Sequence, residues 1–350
     1  MKTAIIGAGS AGIAIGAYAA REKHDVMLVV SSPVSVNALR KNGATVLHSR
    51  SGADFTVPVS ACLSEELTGE YDVILLTTKQ TTNQTVFPVA ERVLSKNGVI
   101  CTLQNGVPEP SVAQALGADR TTGGSILFAA GMTEPGVTRI TTDYDNLQKH
   151  YAFLIGEMDK PCTERLEDVA SVLRPLGEVE LTDELMSAKW SKLLVNCSRS
   201  GMSAALSLKS GDIIDNPKSL ACALFLAKEC IEVSKACGYS LVRSVEDPAD
   251  YYWEDKAQLR KCMEIFKRVG EPVRNNRASM LQDLEKKRPT EIDYINGFVV
   301  SMGLRHGIQT PFNARVVELV KEAESRGRPN DPGVLSRFDD LLRGYEDIYN

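Results

Sequence analysis

The chain has 350 residues, 43% hydrophobic and 24% charged, a balance that supports a substantial buried core and two domains of ordinary size. Forty lysines and arginines against 45 aspartates and glutamates give a net charge of −5, which excludes the basic excess of a dedicated nucleic-acid binder but not a local positive pocket for an anion. The eight cysteines form no CxxC pair and mostly sit in apolar segments, so they read as buried thiols of a reduced compartment. The four histidines have no metal-ligand spacing, and no metal is expected. No run approaches the roughly 18 apolar residues of a membrane span. Met1-Lys2 leads straight into an apolar stretch, leaving no room for a signal peptide. The expectation is a cytoplasmic protein with neither membrane nor nucleic-acid partners.

In chain order, Thr3–Ile6, Val26–Val30, Val73–Thr77 and Val99–Leu103 read as buried strands, alternating with amphipathic stretches such as Ala11–Arg21 and Thr82–Lys96. Such alternation implies a parallel sheet flanked by helices. Gly124–Ala130 and Val137–Thr141 read as further strands closing this domain, and the polar Tyr144–His150 as a surface loop. From about Thr163 the pattern turns helical: Glu164–Leu176, a long helix from Asp183 to Leu206, then Leu220–Cys237, Ala257–Arg268, Thr290–Leu304 and a last helix, Ser336–Asp347. The predicted architecture is therefore α/β: a Rossmann-type, doubly wound N-terminal sheet domain over 1–162 and an all-helical C-terminal domain over 163–350.

Gly7-Ala8-Gly9-Ser10-Ala11-Gly12 is a GxGxxG at the first strand-to-helix turn. The first glycine permits the tight turn, the second lets backbone N–H groups approach a pyrophosphate, and the third allows close helix–strand packing. The helix N-terminus then faces the phosphates with its positive end. The context predicts dinucleotide binding. No carboxylate stands after the second strand, where an NAD site usually carries one for the ribose 2′-OH. Ser31 and Ser32 stand there instead, with Arg40 and Lys41 within reach, so NADP is favoured. Ser31-Ser32-Pro33 also fits a plain polar turn beside a pocket that accepts either cofactor.

Ligands of open α/β sheets bind outside the carboxyl ends of the strands. Lys79, just beyond Thr77-Thr78, and Asn105 in Gln104-Asn105-Gly106 are placed to meet them, although lysines and Asn-Gly turns are common at strand ends for other reasons. In the helical half, Lys192 and Asn196 are four residues apart and share one helix face, which Ser200 and Ser203 extend. Leu193, Leu194 and Val195 make the surroundings apolar. Dehydration there lowers a lysine pKa, which suits the protonation of a ketone oxygen as hydride arrives. A lysine snorkelling to solvent fits the same spacing. Pro289-Thr290-Glu291-Ile292-Asp293 reads as a helix start, where acidic residues are favoured by the helix dipole whatever their function.

Together these motifs resemble the ketopantoate reductase (2-dehydropantoate 2-reductase) family. The matching stretches are Gly7–Gly12, Lys79, Gln104-Asn105-Gly106, Lys-Trp-Ser-Lys-Leu-Leu-Val-Asn at 189–196, Ser-Met-Leu-Gln-Asp at 279–283, Thr-Glu-Ile-Asp-Tyr-Ile-Asn-Gly at 290–297, and Pro311 in 307–313. The resemblance implies a Rossmann domain joined to a helical domain and NADPH-dependent reduction of 2-dehydropantoate to (R)-pantoate, a step of pantothenate synthesis. It implies that Lys192 is the general acid, that Asn196 binds substrate and that Asn105 lies between substrate and cofactor. It also implies that Lys79 and Glu291 contact the cofactor region with Glu291 functional in catalysis, that Ala130 lies near the nicotinamide, and that Ser279 bonds the substrate carboxylate. The small 2-oxo acid is the expected partner, and a homodimer stays an open option. Two departures bear on the substrate: Ser200-Gly201 stands where the family usually has Asn-Pro, and Ser210-Gly211 where it has Asn-Gly. Both shorten an amide to a hydroxymethyl, which keeps open another 2-oxo acid, or an imine, as the substrate; a non-catalytic NADP sensor is a third reading, but it has no use for a proton donor. The segment 242–276, with Tyr251-Tyr252-Trp253, is longer than the resemblance leads one to expect.

Overall fold

A computed structural model describes residues 1–243 and 246–349. The chain forms two compact units, Met1–Leu185 and Met186–Asn350. In the first, strands β1 (Lys2–Ile6), β2 (Asp25–Val30), β3 (Ala44–His48), β4 (Phe55–Val57), β5 (Ser60–Leu63), β6 (Tyr71–Leu76), β7 (Leu94–Thr102), β8 (Thr121–Ile126), β9 (Ala130–Glu134), β10 (Val137–Ile140), β11 (Tyr151–Gly156) and β12 (Glu178–Thr182) alternate with six helices. These are α1 (Ser10–Arg21), α2 (Pro33–Asn42), α3 (Asn83–Val93), α4 (Glu109–Leu116), α5 (Tyr144–Lys149) and α6 (Arg165–Leu173).

The main sheet has the order β12-β11-β8-β7-β6-β1-β2-β5, parallel throughout except where β11 meets β8 antiparallel. The period of two in each central strand explains its burial on both faces. Ile5, Leu28, Val73 and Leu75 enter one core, while Ala4, Ile6, Val29, Ile74 and Leu76 enter the core on the other face. From β1 the chain moves first to β2 and later to β6 on the opposite side, so the strand order reverses at β1, where such sheets bind their ligands.

Several expectations need correction. The strand read at Val137–Thr141 is β10, and it lies not in the main sheet but in a second, four-stranded sheet of order β4-β3-β10-β9. Gly124–Ala130 is not one strand but the end of β8 and the start of β9, one in each sheet. Tyr144–His150 is mostly helix α5, because the Asp143 carboxylate caps it by accepting from the Asp145 N–H. The break between units falls at Leu185, not after residue 162, because β12 pairs in parallel with β11 and α6 packs on both.

The second unit opens in α7 (Leu185–Val195), continues through a π turn (Asn196–Ser200) into α8 (Gly201–Leu206), and then holds α9 (Ser210–Asp215), α10 (Pro217–Ala236), α11 (Lys256–Gly270), α12 (Ser279–Glu285), α13 (Asn296–His306), α14 (Pro311–Arg326) and the short α15 (Glu346–Tyr349). Among its described residues no strand occurs. The expected helix Thr290–Leu304 starts late: Ile292–Tyr294 is a 3₁₀ turn and the α-helix begins at Asn296. The expected Ser336–Asp347 helix is also broken. Pro332–Phe338 is 3₁₀, and Gly344 at φ +85° turns the chain before α15. Within the long segment 242–276, Ser244 and Val245 lie outside the described residues. No described helix is long and apolar enough to cross a membrane, and all eight cysteines are free thiols.

Candidate active site

The glycine loop joins β1 to α1 at the point where the strand order reverses. Gly7 has φ +95°, and a Cβ there would stand 2.5 Å from the Thr78 backbone nitrogen. A Cβ on Gly12 would meet Thr77 Oγ1 at 2.8 Å and the Gly7 carbonyl at 3.1 Å. These two glycines are explained by the protein's own packing. Gly9 is not: a Cβ there would meet only the Gly7 carbonyl, at 3.8 Å. What it leaves room for is a group approaching the loop from outside. The Gly7 and Ala8 N–H groups both donate to the Val29 carbonyl, and the first intrahelical bond runs from Ile13 to Gly9. Helix geometry therefore leaves the N–H groups of Ser10, Ala11 and Gly12 at the open end of α1. The first turn carries no acidic residue. The Thr138 hydroxyl of β10 donates to the Ser10 carbonyl at 2.9 Å and pins this end of the helix. The residues present fit a dinucleotide pyrophosphate.

β2 ends at Val30, and Ser31 is exposed just beyond it. Ser32 is already committed as the N-cap of α2, its oxygen accepting from the Ser35 N–H at 3.4 Å. Arg40 points elsewhere than expected, donating to the Ala61 carbonyl at 2.8 Å and to Glu66 at 2.7 Å. Of the four polar residues read as 2′-phosphate ligands, Ser31 and Lys41 are the exposed ones without such ties among the described residues.

The carboxyl ends of β6 and β7 are knitted together. The Gln104 amide donates to Thr78 Oγ1 at 2.9 Å and to Asn83 Oδ1 at 2.7 Å, and Gln80 donates to the Asn105 carbonyl at 2.6 Å. Asn105 thus has a fixed backbone and an exposed side chain at the sheet's carboxyl edge, next to Gly106 at φ +78°. Lys79, half-buried, follows β6 on the same edge. Ala130 begins β9 opposite Ile140, in the second sheet that packs along α1.

In the second unit Lys192 lies near the end of α7 and is only partly exposed. Dehydration, with the charge of Lys189 adding to it, pushes its pKa down to about 7. The helix does not run on regularly. At Asn196–Ser200 it widens into a π turn, and the Gly201 N–H donates to the Asn196 carbonyl five residues back. In an α-helix that donor would go to Cys197. The Cys197 carbonyl instead accepts from Asn296 Nδ2 at 3.1 Å. Asn196 and Ser200 are half-buried, and among the described residues no protein group hydrogen-bonds to either side chain. Ser203, expected to extend this face, is buried and donates to the Leu208 carbonyl at 2.6 Å. The extra residue of the π turn rotates everything after it out of the α phase.

Asn296 and Asn313 are the residues whose role motif reading left unassigned. Asn296 Nδ2 also donates to Asn313 Oδ1 at 2.9 Å, and Asn313 Nδ2 donates to Glu229 Oε2 at 2.7 Å. Glu229 further accepts the N–H groups of Phe312 and Asn313 at the start of α14. Burial outweighs these bonds and raises the Glu229 carboxyl to about 7. Both asparagines lie within motifs singled out in the sequence, but nothing in their spacing signals a partner in the 196–201 turn.

Ser279 is exposed as the first residue of α12, which packs on α8 and the π turn. Glu291 is buried just before the 3₁₀ turn, its carbonyl accepting from Tyr294 and Ile295. Ser210 leans on the segment at 274–276, its hydroxyl donating to the Asn276 carbonyl at 3.4 Å. Arg199, in the π turn, donates to Glu246 and to the Tyr251 hydroxyl at 3.1 Å each, with its guanidinium 4.3 Å from the Phe266 ring centre. The long segment is thereby fastened to the π turn.

Residues 3–150 match the family described as ketopantoate reductase PanE/ApbA, and residues 184–324 match the description ketopantoate reductase PanE/ApbA C terminal. A protein of Archaeoglobus fulgidus named 2-dehydropantoate 2-reductase is 29% identical over 325 residues, 93% of this chain and 98% of its own. Among solved structures, a PanE/ApbA family ketopantoate reductase from Ralstonia eutropha superposes with TM-score 0.77 at 26% identity, over 93% of this chain and 99% of that one. D-mandelate dehydrogenase, solved with NADH and anilino(oxo)acetate, has the same fold at TM-score 0.77 and 19% identity, over 93% and 99%.

Proposed function

The chain belongs to the ketopantoate reductase family of oxidoreductases, and from that membership we propose that it reduces 2-dehydropantoate to (R)-pantoate with NADPH, Lys192 serving as proton donor. The observation that carries this reading is the dehydrated Lys192, held near neutrality on the helix that leads into Asn196 and Ser200. When bound, the dinucleotide supplies the hydride. The open end of α1, with Gly7, Ala8, Gly9, Ser10, Ala11 and Gly12, binds the pyrophosphate, and Ser31 donates to the 2′-phosphate. Lys79 and Asn105 orient the cofactor and substrate at the carboxyl edge of the sheet, and Ala130 borders the nicotinamide. Asn196 holds the substrate, and Ser279 bonds its carboxylate.

As the carbonyl carbon accepts hydride, negative charge develops on oxygen. A protonated Lys192 Nζ stabilises that charge and then gives up its proton, leaving the alcohol and a neutral amine. Having a pKa close to the working pH makes the proton available without holding it too tightly. Glu291 supports the site electrostatically. The same reading places the protein in the cytoplasm as part of pantothenate synthesis, with small-molecule partners, and leaves a homodimer open.

One observation favours a neighbouring reading. Serines stand at 200 and 210, where the family resemblance leads one to expect asparagines, and Ser210 donates to the Asn276 carbonyl. Losing an amide aimed at a substrate hydroxyl costs about 1–3 kcal/mol, which shifts preference towards a 2-oxo acid without that hydroxyl. Following NADPH absorbance with 2-dehydropantoate against a panel of 2-oxo acids, with and without amines, tests both. Fastest turnover of 2-dehydropantoate supports the first reading, and faster turnover of another acid the second. Tight cofactor binding with no oxidation by any of them overturns both.

A further inference from the structure

We propose that Asn296 is a positioning residue: by occupying the Cys197 carbonyl it holds the 196–200 turn in its π form, and so sets how Asn196 and Ser200 meet the substrate. The inference rests on the substrate role of Asn196 proposed above. A π turn leaves backbone groups with altered partners and survives only where the surroundings compensate. Here the compensation is specific. The Gly201 N–H has moved to Asn196, and the Cys197 carbonyl takes the Asn296 amide at 3.1 Å.

The orientation of that amide is dictated by a chain of groups behind it. The Glu229 oxygens accept the Phe312 and Asn313 N–H groups, and Asn313 turns its Nδ2 towards Oε2 as well, at 2.7 Å. Asn313 Oδ1 then faces Asn296, which must present Nδ2 to it at 2.9 Å. With both acceptors on one side, Asn296 Oδ1 is left buried without a hydrogen-bond partner, against the backbone of Gly201. A Cβ at position 201 would stand 2.5 Å from that oxygen. Gly201 is therefore the residue that allows the approach. The pair explains why this chain carries glycine after Ser200: a proline there, as in the family's usual Asn-Pro, has no N–H to give to the Asn196 carbonyl.

The test uses four variants of the full chain: Asn296→Asp, which keeps the shape but removes the donor; Asn296→Ala, which removes the side chain's polar end; Gly201→Ala, which displaces Asn296 without altering its chemistry; and Asn296→Ala/Gly201→Ala, in which the collision is gone. Each single variant should raise KM for the preferred 2-oxo acid about tenfold, the scale of one lost hydrogen bond, with kcat changed less than about threefold on the same scale and NADPH affinity unchanged. In the Asn296→Ala background, Gly201→Ala should add no further rise, because the two act through one contact. Unchanged KM in the single variants, or additive effects in the double, would overturn the inference. An inactive wild type would count against the proposed function alone. The crystal structure of Asn296→Asp then decides separately: a Gly201 N–H returned to the Cys197 carbonyl supports the inference, and one still on Asn196 refutes it.

Discussion

Lys189 stands one helical turn before Lys192, and its positive charge works with dehydration to bring the Lys192 ammonium down to about 7. The two lysines make an acid of ordinary strength out of a residue that normally holds its proton until about 10.5. The pH dependence follows. In the proposed mechanism reduction needs the protonated form, so kcat/KM for the 2-oxo acid should decline as pH rises above about 7. Lys189→Met removes one of the two causes and should move that limb to higher pH, as measured by pH–rate profiles. A limb that stays in place would separate Lys189 from the effect.

The same shift has a sign in stability. Because the folded pKa lies below the unfolded one, the unfolded chain binds more protons between about 7 and 10.5. The penalty for burying this ammonium is complete below that window and is relieved as pH rises through it. Urea unfolding of Lys192→Met should accordingly show a flatter rise in stability across that range than wild type does.

The glycine loop separates folding from binding. Gly7→Ala forces a side chain into a positive φ and against Thr78, and should cost about 1–3 kcal/mol of stability. Gly9→Val meets little of the protein. It should leave the melting temperature close to wild type while weakening NADPH binding by at least about tenfold, or 1.4 kcal/mol. Thermal melts and fluorescence titration, run on the same samples, distinguish the two effects.

The proposed preference for NADPH rests on the absence of a carboxylate after β2. Ser31→Asp places one there, and its repulsion of a 2′-phosphate is worth about 1 kcal/mol or more at an exposed site. The ratio of kcat/KM with NADPH to that with NADH should fall about tenfold. An unchanged ratio would mean that Ser31 does not face the 2′ position.

Arg199 and Glu246 are both largely dehydrated, with 12% of each side chain exposed. Arg199→Met leaves the Glu246 carboxylate without its cation and should cost about 3–5 kcal/mol. Replacing both, as in Arg199→Met/Glu246→Gln, should recover much of that loss, since neither site then buries an unpaired charge. Denaturant midpoints of the single and double variants measure it.

Much of this molecule is legible in its sequence because short apolar runs alternate with amphipathic stretches. The continuous apolar runs of β1, β2, β6 and β7 and the spacing of Gly7, Gly9 and Gly12 give the dinucleotide fold directly. What escapes is what short segments and non-local partners decide. The three residues of β4 are too brief for a period to show, and nothing in the sequence of β10 itself reveals that it pairs with the distant β3 to build a second sheet. The π turn is hidden because Asn196-Cys197-Ser198-Arg199-Ser200 holds neither glycine nor proline to mark a break in the helix. Only the partner at Asn296, 99 positions from Cys197, reveals it. Ser203 and Arg40 illustrate the converse: the spacing of each fits a site, but nearer protein groups claim their polar atoms.

The most direct test of the chemistry is a comparison of wild type with Lys192→Ala at pH 7 and saturating NADPH. The variant should bind NADPH as the wild type does, with kcat reduced by at least about 100-fold, the usual scale for a positioned acid. A Lys192→Ala enzyme that turns over its 2-oxo acid at the wild-type rate would contradict the account.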